Sequence, residues 1–162
     1  MGGASSRGLA KGTIIQTADI CVSNPSKGKL DALKGEFPTM QVTHSNVEAV
    51  KEADIVLLAV KPWYIEPVIK ELPLDTEKQI LVSVAAGISF EQYEEWVGEK
   101  MPVFRVIPNT AISQLESMTL IASHHATKEQ EQLMLDLFNE MGLAMLIPEK
   151  QMAATTALTS CG

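Results

Sequence analysis

The chain opens on Met1-Gly2-Gly3-Ala4, small residues that run directly into a helix-like segment. This start fits the tail of a G-x-G-x-x-G turn, with Gly2 as its third glycine. A glycine there lets a helix pack closely on a strand, and the N–H groups of the helix start then face a pyrophosphate. Without further context, a plain flexible start explains the same residues better. The context comes about 20 residues on, where such a fold reads the adenosine ribose. That position falls on Ser23-Asn24-Pro25-Ser26-Lys27, which holds no Asp or Glu to accept from a ribose 2′-hydroxyl. It offers hydroxyls, an amide and Lys27, with Lys29 nearby, all able to donate to a 2′-phosphate. The loop therefore favours NADPH over NADH. The alternative is an ordinary Asn-Pro turn.

Three further segments place small or polar residues at the end of an apolar run. Asp54 to Val60 leads into Lys61-Pro62, so the backbone of Ala59 and Val60 can lie under a ribose. Gln79 to Val84 leads into Ala85-Ala86-Gly87, which leaves room for a flat ring. Arg105-Val-Ile-Pro-Asn-Thr110 ends a third run in a kinked polar step, where Asn109 and Thr110 can face a nicotinamide or a small substrate. Open α/β sheets bind ligands at the carboxyl ends of their strands. Each segment also has a bland reading: a solvated Lys in a turn, tight strand–helix packing, and an Asx-type turn.

The elements that must position these tips alternate in period. Short strand-like runs are Ile20 to Ser23, Gln41 to Thr43, Asp54 to Val60, Gln79 to Val84, Val103 to Ile107, Met118 to Ala122 and Leu143 to Ile147. Helical patterns cover Gly3 to Lys11, Lys27 to Glu36, Val47 to Ala53, Trp63 to Leu72, Phe90 to Val97 and Lys128 to Met141. Strand alternating with helix predicts an α/β fold, a doubly wound and mainly parallel sheet of the Rossmann type. The nearly all-apolar stretch from Ile55 to Val60 reads as a central strand covered on both faces. Asn46 is expected to cap its helix. Ser89 with Gln92 and Thr127 with Gln130 have capping-box spacing, and Pro62 suits a first helical turn.

The composition, 46% hydrophobic and 20% charged over 162 residues, is that of a globular domain rather than a disordered chain. A net charge of -7 speaks against a nucleic-acid backbone or an anionic membrane as the main partner. The longest apolar run, Ile80 to Ile88, is too short to span a bilayer. Cys21, expected in a buried strand, and Cys161 make no disulfide framework, which suits a reducing, cytoplasmic location. His124 and His125 are adjacent, and neighbours in an extended chain point apart. With no carboxylate or Cys at ligand spacing, no metal site is expected. Glu91, Glu94 and Glu95 read as a solvated helix face.

Ser23-Asn24-Pro25, Ala59-Val60-Lys61-Pro62, Ser83-Val-Ala-Ala-Gly87, Arg105-Val-Ile-Pro-Asn-Thr110 and Thr156-Ala-Leu-Thr-Ser-Cys-Gly162 stand in the order and spacing of pyrroline-5-carboxylate reductases. The whole chain resembles the nucleotide-binding domain of that family. The resemblance implies hydride transfer from C4 of NAD(P)H to the C=N carbon of 1-pyrroline-5-carboxylate, giving L-proline in the last step of its biosynthesis. A protonated imine is already electrophilic, so no strong protein acid is implied and the catalytic residues stay unassigned. Carried over, Gly2 matches the last glycine of the phosphate turn. Asn24 matches the residue beside the 2′-position, and Asn46 a cofactor-contacting Asn. Ala59, Val60, Lys61 and Pro62 match the cofactor-lining strand end. Val84, Ala85 and Ala86 match the strip beside the nicotinamide ribose, and Pro108, Asn109 and Thr110 the step near the ring.

Departures from the family pattern are Ile107 where Met is usual, Ala111 where Pro is common, and a hinge written Ala157-Leu-Thr-Ser-Cys-Gly162 with two glycines lost. The resemblance divides the chain into a cofactor domain over 1–150 and, over 151–162, the start of a hinge. That hinge leads to a helical domain, absent from this sequence, which makes the homo-oligomer. Two other functions stay open: a nucleotide-binding module without turnover, and an NADP-dependent enzyme of the 3-hydroxyacid dehydrogenase type. A doubly wound sheet has the order 3-2-1-4-5-6, and its first, central strand is missing here. The strands flanking that place are expected to have unpaired inner edges unless another segment or a neighbouring chain fills it.

Overall fold

The structure is a computed structural model, and it describes residues 1–159. Seven strands are present among them: β1 (Cys21–Ser23), β2 (Gln41–Thr43), β3 (Ile55–Leu58), β4 (Ile80–Ser83), β5 (Val103–Ile107), β6 (Ser117–His124) and β7 (Gly142–Leu146). Seven α-helices connect them: α1 (Gly2–Ala10), α2 (Lys27–Glu36), α3 (Asn46–Val50), α4 (Pro62–Glu71), α5 (Phe90–Val97), α6 (Lys128–Asn139) and α7 (Met152–Thr159). The end of the expected hinge, including Cys161, lies outside the described residues.

Each expected strand and helix is present, and the sheet is mainly parallel. β3, β4 and β5 run parallel in register, with Leu58 beside Ser83 and Ser83 beside Arg105. β6 turns back antiparallel to β5, and β7 runs parallel to β6. The two faces of this sheet carry separate cores, as the strand period of two requires. Val56, Leu58, Leu81 and Val103 pack with Ile65 and Ile69 of α4 and with Phe90 and Tyr93 of α5. Val82, Phe104, Val106 and Ile121 pack on the other face with Met134, Leu137 and Phe138 of α6. Leu81 and Phe104 are fully buried, each worth roughly 1.5–3 kcal/mol of apolar transfer.

The strands do not form one sheet. β1 and β2 pair only with each other, and β3 to β7 form a second sheet with β3 at its edge. The central place expected for β3 is therefore corrected. It has no strand partner on its outer side, and its alternate residues Ile55 and Leu57 are only half-buried. They line a narrow apolar slot with Leu9, Ile15 and Val82. The flanking strands β1 and β3 are not hydrogen-bonded to each other, as their expected unpaired edges require. Cys21 is corrected as well. It lies exposed at the start of β1, because a two-stranded sheet does not cover it. Burial of part of the thiol and the nearby Glu48 charge push its pKa up.

Helix starts follow side-chain chemistry. The capping boxes at Ser89–Gln92 and Thr127–Gln130 are both closed, and Pro62 occupies the first turn of α4. At α3 the cap is Ser45, whose hydroxyl accepts from the Glu48 N–H at 3.2 Å. Asn46 follows it, and its amide is engaged elsewhere.

Candidate functional site

The helix that opens the chain begins against the tip of β3. A Cβ added to Gly2 would lie 3.2 Å from the Ala59 Cβ and 3.7 Å from its carbonyl oxygen. That is tighter than ordinary contact, so the absent side chain sets how closely α1 approaches the strand. The Ser5 N–H is the first to bond back, to the Met1 carbonyl at 2.9 Å. The N–H groups of Gly2, Gly3 and Ala4 precede it in the first turn, where helices leave donors free. Such a terminus, with a partial positive charge, suits an anion held against Ala59. Ser5 Oγ in the same turn is buried with no hydrogen-bond partner.

Beside this point the tips of β4 and β5 lie in register. Val84 N–H donates to the Leu58 carbonyl at 3.1 Å, so β4 is tied to β3 up to Ala59. Ala85 is buried while Ala86 and Gly87 are exposed, and Gly87 takes φ 80 to turn the chain. Two residues not foreseen from sequence shape this tip. Ser83 Oγ accepts from Tyr93 Oη at 2.6 Å and from the Ala85 N–H at 3.3 Å. Burial pushes the Tyr93 phenol above its usual pKa, so it stays a neutral donor. Past β5, Asn109 caps a short 3-10 turn over Thr110–Gln114, its Oδ1 accepting from the Ala111 N–H at 3.0 Å. Asn109 N–H donates to Ser117 Oγ at 3.2 Å. The turn packs on α1, where Lys11 Nζ donates to the Ser113 carbonyl at 2.7 Å. Thr110 is exposed and Asn109 half-buried, both open to a ligand.

The loop expected from the sequence to read a ribose follows β1. Asn24 Oδ1 accepts from the Ser26 N–H at 2.8 Å, an Asx turn that delivers Lys27 to the first position of α2. Lys27 is exposed. Ser23 Oγ donates to Asn46 Oδ1 at 2.7 Å, and Asn46 Nδ2 donates to Glu71 Oε1 at 2.7 Å. Ser23, Asn46 and Glu71 thus form one polar cluster joining β1, α3 and α4, with the Asn24 side chain engaged separately by Ser26. Lys61 caps α4 from the backbone only, with its side chain in solvent.

A second set of contacts ties the β5 strand to the end of the chain. Glu149 Oε1 accepts from Arg105 Nη1 at 2.7 Å and from the Phe90 N–H at 2.7 Å. The Arg105 side chain is only 11% exposed, and its guanidinium lies 5.9 Å from the Phe90 ring centroid. No sequence pattern announces Glu149, because its partners lie 44 and 59 residues away.

The groups present fit a dinucleotide: a close-packed glycine at a helix start, small residues at two adjacent strand tips, and an exposed lysine in the loop after β1. Among the described residues, the Glu94, His124 and His125 group that could share a metal ion lies away from this crevice.

Known proteins share this fold. The family model described as "NADP oxidoreductase coenzyme F420-dependent" matches residues 2–87, more than half of the chain. The chain is 33% identical over its full length to the pyrroline-5-carboxylate reductase of Methanosarcina acetivorans, covering 60% of that protein. It is 35% identical to that of Pseudomonas aeruginosa, over 91% of this chain and 55% of the relative. The structure of the Plasmodium falciparum pyrroline carboxylate reductase, described with NADP bound, superposes with a TM-score of 0.88 at 28% identity. That match covers 100% of this chain and 59% of the other. The chain thus spans a little over half the length of the relatives it matches. On the family match and on the fold it shares with these reductases, the chain belongs to the NADP oxidoreductase coenzyme F420-dependent family and is similar throughout to the Rossmann domain of pyrroline-5-carboxylate reductases.

Proposed function

We propose that this chain is the cofactor-binding part of a reductase that converts 1-pyrroline-5-carboxylate to L-proline with NADPH. One observation carries the reading: the start of α1 meets Ala59 where the tips of β3 and β4 run side by side. It agrees with relatives named for this activity and with one solved with NADP.

When bound, the reduced nicotinamide supplies the hydride from its C4 to the C=N carbon. The chain's own residues position it. Gly2, Gly3 and Ala4 offer backbone N–H groups to the pyrophosphate. Lys27, with the hydroxyl of Ser23 and the amide of Asn24, surrounds the 2′-phosphate. Asn46 reaches the cofactor by giving up one of its present bonds. Ala59, Val60, Lys61 and Pro62 floor the ribose. Val84, Ala85 and Ala86, with Asn109 and Thr110, hold the ring end. The imine is electrophilic once protonated, so acceleration comes from orientation.

In the intact protein, residues 1–150 act as the cofactor domain. Residues 151–162 lead to a helical domain that completes the imino-acid site and joins the homo-oligomer. One further strand fills the place beside β3. The protein works in the cytoplasm, with neither nucleic acid nor membrane as partner. No described helix is long and apolar enough to cross a membrane.

The test is NADPH consumption by the full-length protein. Loss of NADPH absorbance dependent on 1-pyrroline-5-carboxylate, with L-proline as product, supports the assignment. Saturable NADPH binding with no turnover reduces the protein to a binding module, and turnover of 3-hydroxyacids instead overturns the substrate.

A further inference from the structure

The histidine pair lies away from the cofactor crevice. His124 ends β6 and sits opposite Val103, the first residue of β5, whereas the crevice begins beyond Ile107 at the other end of that strand. Four strand steps separate them, about 13 Å. Adjacent side chains on a strand point to opposite faces, which predicts no convergence of the two rings. The structure corrects that expectation. His125 takes φ 56, in the left-handed region, so its ring turns back and its centroid lies 3.9 Å from that of His124. Both Nε2 atoms reach one oxygen of Glu94, His124 at 2.6 Å and His125 at 2.7 Å. The carboxylate comes from α5, 30 residues earlier than His124, a distance no spacing rule covers. Glu94 is therefore not part of a merely solvated face.

We propose that Glu94, His124 and His125 bind one divalent transition ion of the zinc class. The three donor atoms lie within 4.8 Å of one another. Two imidazoles and a carboxylate are a ligand set for zinc and its neighbours in the first row, with a fourth position left for water. At metal–ligand bonds of about 2.0–2.2 Å in tetrahedral geometry, ligand atoms stand roughly 3.3 Å apart. The Glu94 oxygen must retreat by about 0.6–0.7 Å from each ring, a small side-chain rotation. The imidazoles now present N–H to an acceptor-only carboxylate. Ion binding needs each Nε2 bare, so the proton of each neutral ring moves through solvent to Nδ1.

Three further observations favour a built site over a chance contact. A left-handed backbone at a non-glycine residue costs free energy, and at His125 its result is ring convergence. Phe90 stacks on His124 with ring centroids 5.0 Å apart and planes 13° apart, which fixes that ring. Glu91, Glu95 and Glu99 line a surface depression with Glu94 and concentrate cations there. All three ligand side chains keep about a third of their surface in solvent, so an ion can enter.

The test is calorimetric titration of Zn²⁺ into the full chain after chelator treatment, in a Cys21→Ser background to remove an exposed thiol. The expected result is saturable binding of one ion at this site, weakened at least about tenfold by His125→Gln and by Glu94→Gln. His125 is exposed, so its variant is expected to melt with the parent by circular dichroism. Co²⁺ gives an independent readout through the visible absorption of a low-coordinate nitrogen–oxygen site, which His125→Gln is expected to abolish. Absence of saturable binding, or binding unchanged in both variants, overturns the proposal.

Discussion

Gly2 and Ala59 stand so close that a single added carbon on Gly2 would meet the Ala59 Cβ at 3.2 Å. Both partners lie on ordered backbone, a helix start and a strand tip, so neither can yield freely. Gly2→Ala forces a shift of a few tenths of an ångström. Gly2→Val adds a branched side chain and displaces the first turn of α1. Three N–H groups then miss the position an anion would occupy. The expected outcome for Gly2→Val is an NADPH affinity lower by roughly tenfold to a hundredfold, the effect of losing about one charge-assisted hydrogen bond. Fluorescence titration with NADPH measures it. Far-UV circular dichroism should stay unchanged, since the core of the five-stranded sheet is not touched.

Glu149 neutralises an Arg105 side chain that is 11% exposed, and the Arg105 Nε already lacks a partner. Removing the carboxylate leaves a nearly buried guanidinium unpaired and also strips the acceptor from the Phe90 N–H at the start of α5. Breaking a buried pair costs about 3–5 kcal/mol. Glu149 itself is 36% exposed, so water recovers part of that. Glu149→Ala is expected to lower unfolding free energy by about 2–3 kcal/mol in urea denaturation. Arg105→Met with Glu149→Ala should recover most of the loss, because no charge is then left buried.

Much of this fold is legible in the sequence because its signals are local. Apolar runs of four to five residues mark each strand of the large sheet, and the Ser89 and Thr127 boxes mark two helices to the residue. The close approach of Gly2 and Ala59 is foreshadowed by small residues at a helix start and at a strand tip, a pattern local in the sequence. What stayed hidden depends on residues far apart in the chain. Ser83 and Tyr93 form a buried pair across β4 and α5. Glu149, in the short 3-10 turn Glu149–Gln151 after β7, meets Arg105 across 44 residues of chain. The cap of α3 went to Ser45 rather than Asn46, because the Asn46 amide is held between Ser23 and Glu71. Gly142 shows a third case. Its φ of 133 and the Ser117 backbone within reach of any Cβ make glycine obligatory, yet nothing near it in sequence says so.

Glu140 anchors the loop that follows α1. Its carboxylate accepts from the Thr13 hydroxyl at 2.5 Å, from the Thr13 N–H at 2.9 Å, and from the Ile14 N–H at 3.2 Å. These donors favour the ionised form and hold its pKa below the usual carboxylate value, the Thr13 hydroxyl foremost. A depressed folded pKa contributes stability that is fully present above the unfolded value, about 4.3, and is lost as pH falls through the folded one. Thermal melts of the parent are therefore expected to lose stability below about pH 4 more steeply than those of Glu140→Gln. Above that range the parent should be the more stable of the two. Equal pH slopes in the acid range would show that the loop contributes nothing.

Lys27 decides between the two nicotinamide cofactors if the loop after β1 reads the ribose. It stands exposed at the first position of α2, delivered there by the Asn24 turn. A 2′-phosphate there gains both its charge and the helix start, whereas a bare 2′-hydroxyl gains little from a cation. Lys27→Glu reverses the charge and supplies the acceptor that a 2′-hydroxyl prefers. A charge-assisted hydrogen bond is worth about 1.5–3 kcal/mol, so NADPH affinity should fall roughly tenfold to a hundredfold. NADH affinity should hold or rise by a few fold. Parallel titrations with both cofactors give the ratio directly. A ratio unmoved by Lys27→Glu would place the phosphate elsewhere, with Lys29 the next donor along the same helix.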